Sequence, residues 1–172
     1  MITVRPENPQ DITRVRQINE SAFETLAEAY IVDAVRRDCP DAISLVAEDA
    51  GAVVGQILFS PAAIESAGRN VVGMGLGPVA VLPERQRQGI GSKLISRGLE
   101  ILRERGCPFV VVLGYPEYYS RFGFERASQH GLSCQWEGVP DDIFLVMVTD
   151  PAAMKGVSGA IRYRDEFDAA MY

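Results

Sequence analysis

Two glycines, Gly89 and Gly91, stand where a helix is predicted to begin, within the stretch PERQRQGIGSKL from Pro83 to Leu94. Glycine costs a helix interior about 1 kcal/mol relative to alanine, so a pair in a first turn needs a reason. A helix N-terminus carries unpaired N–H groups and the positive end of the helix dipole, and both attract anions. Glycines leave those N–H groups accessible to a phosphate, and Arg87 and Lys93 add positive charge. The pattern indicates a site for a phosphorylated ligand; the alternative is a tight turn that only permits close packing.

Two better-known phosphate-binding patterns do not fit this chain. A dinucleotide-binding G-x-G-x-x-G motif starting at Gly89 would need glycine where Leu94 stands, and one starting at Gly73 would need glycine where Pro78 stands. A P-loop requires Gly-Lys followed by Ser or Thr, and the sequence contains no Gly-Lys pair. The glycine turn therefore belongs to some other class of phosphate site.

The glycine turn is predicted to lie inside a β-α-β unit. A strand is expected over 71–82, and the residues after Gly89 have helical periodicity until Gly106 and Pro108 end the helix. The continuous apolar run FVVVL at 109–113 is typical of a strand buried on both faces. The apolar stripe of the helix is formed by Ile90, Leu94, Ile95, Gly98, Ile101 and Leu102.

The other predicted elements give an α/β class with a mixed sheet. Asp11 is expected to cap a helix from about Ile12, and Asp49-Ala50-Gly51 is expected to join two strands as a hairpin. We find no repeat, linker or internal boundary, so we expect a single domain over 1–172. The remaining predictions are a strand at 2–5, a helix at 27–38, strands at 43–49 and 52–64, a short helix at 116–122, and strands from 124 and over 143–149.

Composition limits the classes of partner. The chain has 172 residues, of which 47% are hydrophobic and 23% charged, with a net charge of −6. It lacks the basic patch that a nucleic-acid binder needs, and no apolar run approaches the ~20 residues that span a bilayer. The N-terminus is polar, so no signal peptide is expected. The three cysteines are far apart in the sequence and odd in number, which predicts free thiols and a cytoplasmic location.

Two motifs give the chain a family resemblance. Gln86 to Gly91, QRQGIG, resembles the Q/R-x-x-G-x-G/A pattern of the GNAT superfamily of acetyl-CoA-dependent N-acetyltransferases. Tyr118 to Phe124, YYSRFGF, resembles the family's aromatic-Tyr-x-x-x-Gly-Phe segment, and the wording LGYPEYYSRFGFE is closest to the YhbS-like branch. The resemblance is strong over about 70–126. It implies a mixed, mostly antiparallel central sheet of about six to seven strands flanked by helices, with a β-α-β acetyl-CoA-binding core and a C-terminal extension over about 150–172.

The resemblance also implies roles for particular residues. The coenzyme A pyrophosphate would rest on the N–H groups of the glycine turn, the pantetheine arm would pair with the strand before it, and Tyr119 would protonate the departing thiolate. The acetyl group would pass directly to an amine in a ternary complex, with no metal. The implied cofactor-binding residues are Val79, Ala80, Val81, Gln86, Arg87, Gln88, Gly89, Ile90, Gly91 and Ser92.

The sequence leaves the acceptor side open. The acceptor would be an amine of a small molecule or peptide, and the base that deprotonates it could be a water relay, Glu24, Glu65 or another carboxylate, or His130. Tyr118 is more often structural or pocket-lining than catalytic in such a segment. The stretch 154–172 could form a dimer arm, giving a homodimer, or fold back onto its own core.

Other chemistries fit the residues less well. One histidine and no Cys-x-x-Cys leave nothing with zinc-ligand spacing. A cysteine hydrolase would need Cys107 or Cys134 with His130, but neither cysteine stands on a recognisable nucleophile turn. The main alternative to an enzyme is a non-catalytic acetyl-CoA-binding sensor or interaction module with the same fold.

Overall fold

A computed structural model describes residues 1–171. Contacts between residues divide the chain into two compact units, one formed by 1–59, 77–101 and the residues from Glu166 on, the other by 60–76 and 102–165. Some strands and helices contribute residues to both units. The single-domain assignment stays a prediction.

The first unit contains an antiparallel three-stranded arrangement. Strand β1 (Ile2–Pro6) pairs with β2 (Ile43–Asp49), which pairs with the first part of β3 (Ala52–Ser66). The predicted hairpin between β2 and β3 is confirmed. Its two central residues, Ala50 and Gly51, both have positive φ (50° and 84°), as the tight turns that suit twisted strands require.

Two helices precede β2; the start of the first and both ends of the second lie where they were predicted. Helix α1 covers Ile12–Ala22 and α2 covers Ala27–Asp38. Asp11 occupies the N-cap position of α1, as predicted, but its side chain makes no cap hydrogen bond to the helix. Asn8 caps a preceding 3-10 turn instead, and the Asp11 carboxylate accepts hydrogen bonds from Asn8 N (2.8 Å) and from Arg5 (2.7 and 3.1 Å). The Arg5 guanidinium holds the pKa of Asp11 below its usual value.

A polar bridge crosses the core of this unit. Asn19 on α1 is fully buried, and its Nδ2 donates to Gln56 Oε1 on β3 at 3.0 Å. Gln56 Nε2 in turn donates to Ser44 Oγ on β2 at 2.9 Å. The bridge links α1 to β2 and β3. It also gives the buried Asn19 and Gln56 amides hydrogen-bond partners, and a buried amide without partners would cost free energy.

Helix α3 covers Ile90–Glu104, and thus starts directly after Gly89 as predicted. The apolar stripe is buried as predicted except for Ile101, which is half-buried; Leu99, outside the predicted stripe, is buried. Two glycines let the helix approach β3 closely. A Cβ on Gly98 would overlap the ring of Phe59, and a Cβ on Gly55 would lie 3.2 Å from Ile90 Cγ2.

The second unit is built around a buried strand. The first part of β4 (Arg69–Val81) pairs in parallel with β5 (Phe109–Leu113), and β5 pairs antiparallel with β8 (Phe144–Val148). Strand β6 (Glu125–Arg126) pairs antiparallel with β8. Strand β4 ends at Val81, one residue before the predicted end. The mixed α/β class with a mostly antiparallel sheet is confirmed.

The structure has two short strands that the sequence did not predict. The described residues therefore contain nine strands. Strand β7 (Leu132–Cys134) pairs in parallel with β9 (Gly159–Arg162), and β9 also pairs antiparallel with β3. The C-terminal stretch therefore folds back on its own chain, with Ile161 and Tyr163 buried. Tyr172, which the sequence placed in the same stretch, lies outside the described residues.

Other expectations concern the whole chain. Cys39, Cys107 and Cys134 are free thiols, as predicted. None of the helices in residues 1–171 is long and apolar enough to cross a membrane. Over the same residues, no group of three or more His, Cys, Asp or Glu side chains could hold a metal ion.

Candidate active site

The loop between β4 and α3 has an unusual backbone. After a 3-10 turn at Pro83–Arg85, Arg87 has φ 62° and Gly89 has φ 82°. The left-handed conformation costs a residue with a Cβ about 1–2 kcal/mol, so Arg87 is held there by its surroundings. Left-handed residues alternating with others turn successive N–H groups towards one concave side, the arrangement that proteins use to bind anions. The loop therefore has the backbone geometry of an anion site.

Side chains hold this loop in place. Gln86 Nε2 donates to Val81 O at 3.0 Å, which ties the loop to the end of β4. Arg85 donates to Gln88 Oε1 at 3.2 Å and to Asp49 Oδ2 at 2.7 Å. The hydrogen bond from Arg85 is the main reason that the pKa of Asp49 is lowered. Gln86, which the family pattern assigns to the cofactor, thus also has a structural contact.

The start of α3 completes the turn. Lys93 N donates to Gly89 O at 3.1 Å, so the N–H groups of Ile90 and Gly91 precede the first helical hydrogen bond. Arg87 and Gly89 are exposed, and a Cβ on Gly89 would meet no atom within 4 Å. The space beside the turn is open, and the donors lining it include the N–H groups of a helix N-terminus.

The strand residues that the family pattern assigns to the pantetheine arm alternate in burial. Ala80 is fully buried, whereas Val79 and Val81 are half-buried. Leu82 N donates to Val54 O at 3.0 Å, which fixes the end of β4 against β3. The last residues of β4 thus have one side in the core and one side partly accessible.

Tyr119 lies in the second unit, at the end of the short helix α4 (Pro116–Tyr119). Its backbone N donates to Tyr115 O at 3.1 Å, and the segment ends at Gly123, which has φ 101°. The Tyr119 ring packs directly on Gly114, where a Cβ would overlap it. Its ring centroid is also 5.7 Å from that of Phe124, in an edge-to-face arrangement.

Burial makes Tyr119 a weak acid. Removal of the phenol from water disfavours its charged form and raises the pKa of Tyr119 to about 12, with a smaller contribution from Tyr118. The group therefore keeps its proton at neutral pH. A protonated phenol in a partly buried position can act as a general acid, but not readily as a base.

Tyr118 has packing partners of its own. Its ring stands edge-on to that of Tyr119, with centroids 5.1 Å apart, and the Arg121 guanidinium carbon lies 4.6 Å from its centroid. These contacts fit the expectation that Tyr118 is structural.

The candidate bases are placed differently from one another. Glu24 and Glu65 are exposed. His130 Nε2 lies 3.2 Å from Glu125 Oε1, at a recess of about 380 Å³ that is otherwise lined by Gly123, Val148, Pro151, Met154 and Val157.

The two cysteines weighed as hydrolase nucleophiles are poorly activated. The pKa values of Cys107 and Cys134 are both raised, mainly because the thiols are buried. A nucleophilic cysteine needs a depressed pKa, because the thiolate is the reactive form. The environment of these thiols therefore argues against the cysteine-hydrolase alternative.

Two features of the candidate site escaped the sequence reasoning. Nothing in the residue types predicts that Arg87, rather than only the glycines, takes a left-handed conformation. Gly114 was given no role from the sequence, whereas the structure shows that it makes room for Tyr119. A glycine directly after a buried strand and five residues before the tyrosine is the one signal that could have suggested such a contact.

Comparison with known proteins agrees with this geometry. The acetyltransferase (GNAT) domain family matches residues 3–127. The chain therefore belongs to the GNAT acetyltransferase family and is an acyltransferase.

Similar proteins are found along nearly the whole chain. The Uncharacterized N-acetyltransferase YhbS of Escherichia coli strain K12 is 37% identical over 166 residues, covering 96% of this chain and 98% of that protein. The crystal structure of GNAT family N-acetyltransferase YhbS from Escherichia coli in complex with CoA has a TM-score of 0.90 at 36% identity, covering 97% of this chain and 92% of that one. A GNAT family acetyltransferase from Brucella melitensis in complex with acetyl-CoA has a TM-score of 0.79 at 37% identity, covering 98% and 99%.

Proposed function

We propose that this acyltransferase moves an acetyl group from acetyl-CoA to a primary amine by direct transfer in a ternary complex, that residues 1–172 act as one domain, and that it works in the cytoplasm. The observation that carries the proposal is the loop before α3, with Arg87 at φ 62° and Gly89 at φ 82°. The two solved relatives, one with CoA and one with acetyl-CoA, support the same cosubstrate.

We assign the pyrophosphate to the glycine turn. The backbone N–H groups from Arg87 to Ser92, including those of Gln88 and Ile90, would bind its oxygens, and Gln86 would keep the loop in the required shape through Val81 O. The exposed Arg87 side chain would add charge. The backbone of Val79, Ala80 and Val81 would pair with the amides of the pantetheine arm.

Acetyl transfer forms one C–N bond and breaks one C–S bond. The neutral amine nitrogen attacks the thioester carbonyl carbon, and the C–S bond then breaks to give an amide and a thiolate. A backbone N–H among Val79–Val81 would stabilise the negative charge that develops on the carbonyl oxygen. The acceptor ammonium must first lose a proton to water or to a carboxylate.

Tyr119 would supply the proton that the departing sulfur takes. Transfer from a phenol with a pKa of about 12 to a thiolate, whose acid has a pKa near about 8.5, is uphill unless it accompanies C–S cleavage. The resulting tyrosinate regains a proton from solvent. The raised pKa ensures that the acid is present in its active form throughout the neutral range.

Isothermal titration with acetyl-CoA tests the cosubstrate, and we expect one-to-one binding in the micromolar range. Gly89→Val should abolish it, because a branched side chain would strain the turn and block the phosphate. Gly68→Val is the matched control, since Gly68 has nearly the same φ (78°) and open surroundings in the β3–β4 turn. Binding by neither wild type nor control, in folded protein, would refute the proposal. Tight binding without turnover on any amine would favour a sensor.

A further inference from the structure

His130, the single histidine of the chain, lies at the recess of about 380 Å³ in the second unit. Two of the lining residues are polar, and they are in contact, with His130 Nε2 3.2 Å from Glu125 Oε1. The other lining residues are Gly123 and the apolar residues Val148, Pro151, Met154 and Val157. Pockets that bind small molecules measure about 300–1,000 Å³ and combine apolar walls with a few polar groups. The recess therefore has the size and lining of a small-molecule site.

The lining is held in place by backbone hydrogen bonds. His130 ends a 3-10 turn that begins at Ala127. In the loop after β8, Met154 N donates to Asp150 O at 3.2 Å. Further along the same loop, Val157 N donates to Met154 O at 3.1 Å. A ligand would meet a recess that is already formed, so binding would cost little free energy for ordering the protein.

The recess is separate from the residues assigned to acetyl transfer. Val148, in its wall, pairs with Phe109 at the start of β5. Gly114, on which the Tyr119 ring packs, follows the other end of β5, and its N donates to Ile143 O at 2.9 Å. Ile143 and Val148 are five residues apart, which is about 16 Å along a strand. The recess is therefore a second candidate site and not an extension of the first.

The polar groups of the recess determine which ligand fits. A carboxylate only accepts hydrogen bonds, and a neutral imidazole that donates its Nε2 hydrogen keeps Nδ1 as an acceptor. Among residues 1–171, neither Glu125 Oε2 nor His130 Nδ1 has a hydrogen-bond partner. A protonated primary amine has three donors, no acceptor, and the charge that a carboxylate attracts. Such an ammonium group therefore complements the polar part of the recess.

We propose that this recess binds a small primary amine with an apolar body, with the ammonium group on Glu125 and His130 and the body against the apolar wall around Met154. Methionine side chains adapt their shape, so this wall suits a compact aromatic or aliphatic body. The charge of Glu125 determines the affinity, and acetyl-CoA takes no part in it. The site goes beyond the proposed acetyl transfer and is independent of it.

NMR titration with 2-phenylethylamine tests the site, in the full chain labelled with ¹³C at the methionine methyl groups and without acetyl-CoA. We expect a saturable shift of the Met154 signal with a Kd in the millimolar range, since so small a ligand makes few contacts. Glu125→Gln should weaken binding about 10-fold, the loss for a hydrogen bond to a charged group. Glu104→Gln removes a charge at an exposed site of α3 and is the matched control, which should bind the amine like the wild type.

A neutral analogue makes the test specific for the charge. 2-Phenylethanol has the same apolar body, so it should bind the wild type about 10-fold more weakly than the amine does. Glu125→Gln should leave the affinity for this alcohol unchanged. Three results would overturn the proposal: no saturable shift of Met154, equal affinity for amine and alcohol, or equal affinity for the amine in wild type and Glu125→Gln.

Discussion

Replacement of Tyr119 by phenylalanine isolates one hydroxyl group. The ring contacts with Gly114, Tyr118 and Phe124 remain, so the free energy of unfolding should change by about 1 kcal/mol or less. A positioned general acid contributes about 10²–10⁴-fold to a rate. We therefore expect kcat to fall by about that factor while the affinity for acetyl-CoA stays within about twofold of wild type.

The pKa of Tyr119 makes the prediction sharper. At pH 10 a free tyrosine is about half ionised, whereas a group with a pKa of about 12 is still about 99% protonated. The wild-type kcat should therefore show no loss attributable to Tyr119 until the pH approaches about 12. An alkaline limb centred near pH 10 would show that the acid is a tyrosine in an ordinary environment.

The assay is coenzyme A release, measured against pH, with calorimetry for binding. Tyr118→Phe is the matched control, because it removes a neighbouring hydroxyl and should keep most of the activity. A Tyr119→Phe enzyme with the wild-type rate would refute the role as acid. Loss of acetyl-CoA binding in that variant would show that Tyr119 is structural.

Three further outcomes follow from packing and burial. Asn19→Ala should lower the free energy of unfolding by about 1–3 kcal/mol in urea denaturation, because Gln56 loses a buried donor. Gly114→Ala should displace the Tyr119 ring, lowering kcat while calorimetry shows acetyl-CoA binding retained. Stability should fall as the pH rises from about 10 through 12, since the raised pKa of Tyr119 stabilises the folded protein only while the phenol stays protonated. Tyr163→Phe should lessen that fall, because burial raises the pKa of Tyr163 as well.

A specific experimental result would contradict each of these three predictions. Gln17→Ala, at an exposed site on α1, should leave stability nearly unchanged, and an equal loss there would remove the polar bridge as the explanation. Full activity in Gly114→Ala would mean that the ring can move without consequence. Alkaline unfolding with the same slope in wild type and Tyr163→Phe would mean that other groups control it.

The sequence predicted the elements with strong periodicity. Helix α3 and strand β5 were found almost to the residue, because both have clear apolar patterns and because Gly106 and Pro108 separate them. The glycine turn was predicted from a local requirement, namely anion access at a helix N-terminus. Such features depend on residues near one another in the chain, so a sequence shows them.

Features that depend on which of several partners a group takes, or on how the chain turns back on itself, were missed. Strands β7 and β9 are only three and four residues long. They are defined by their pairing with each other and by the pairing of β9 with β3. Asp11 was predicted to cap α1, but Arg5 and Asn8 compete successfully for its carboxylate. The contact between Gly114 and Tyr119 depends on a turn of the chain back onto itself. Short-range patterns carry no information on such competition.

The pairing of β9 also bears on how the chain folds during synthesis. Ala63 and Ile64 on β3 pair with Arg162 and Ile161, so their partners leave the ribosome long after them. Contacts with such large sequence separation form slowly, because a long loop must close first. Until β9 arrives, β3 has an unpaired edge, and exposed edges invite pairing with other chains. We expect C-terminal truncations before residue 159 to aggregate during expression rather than to yield a smaller folded protein.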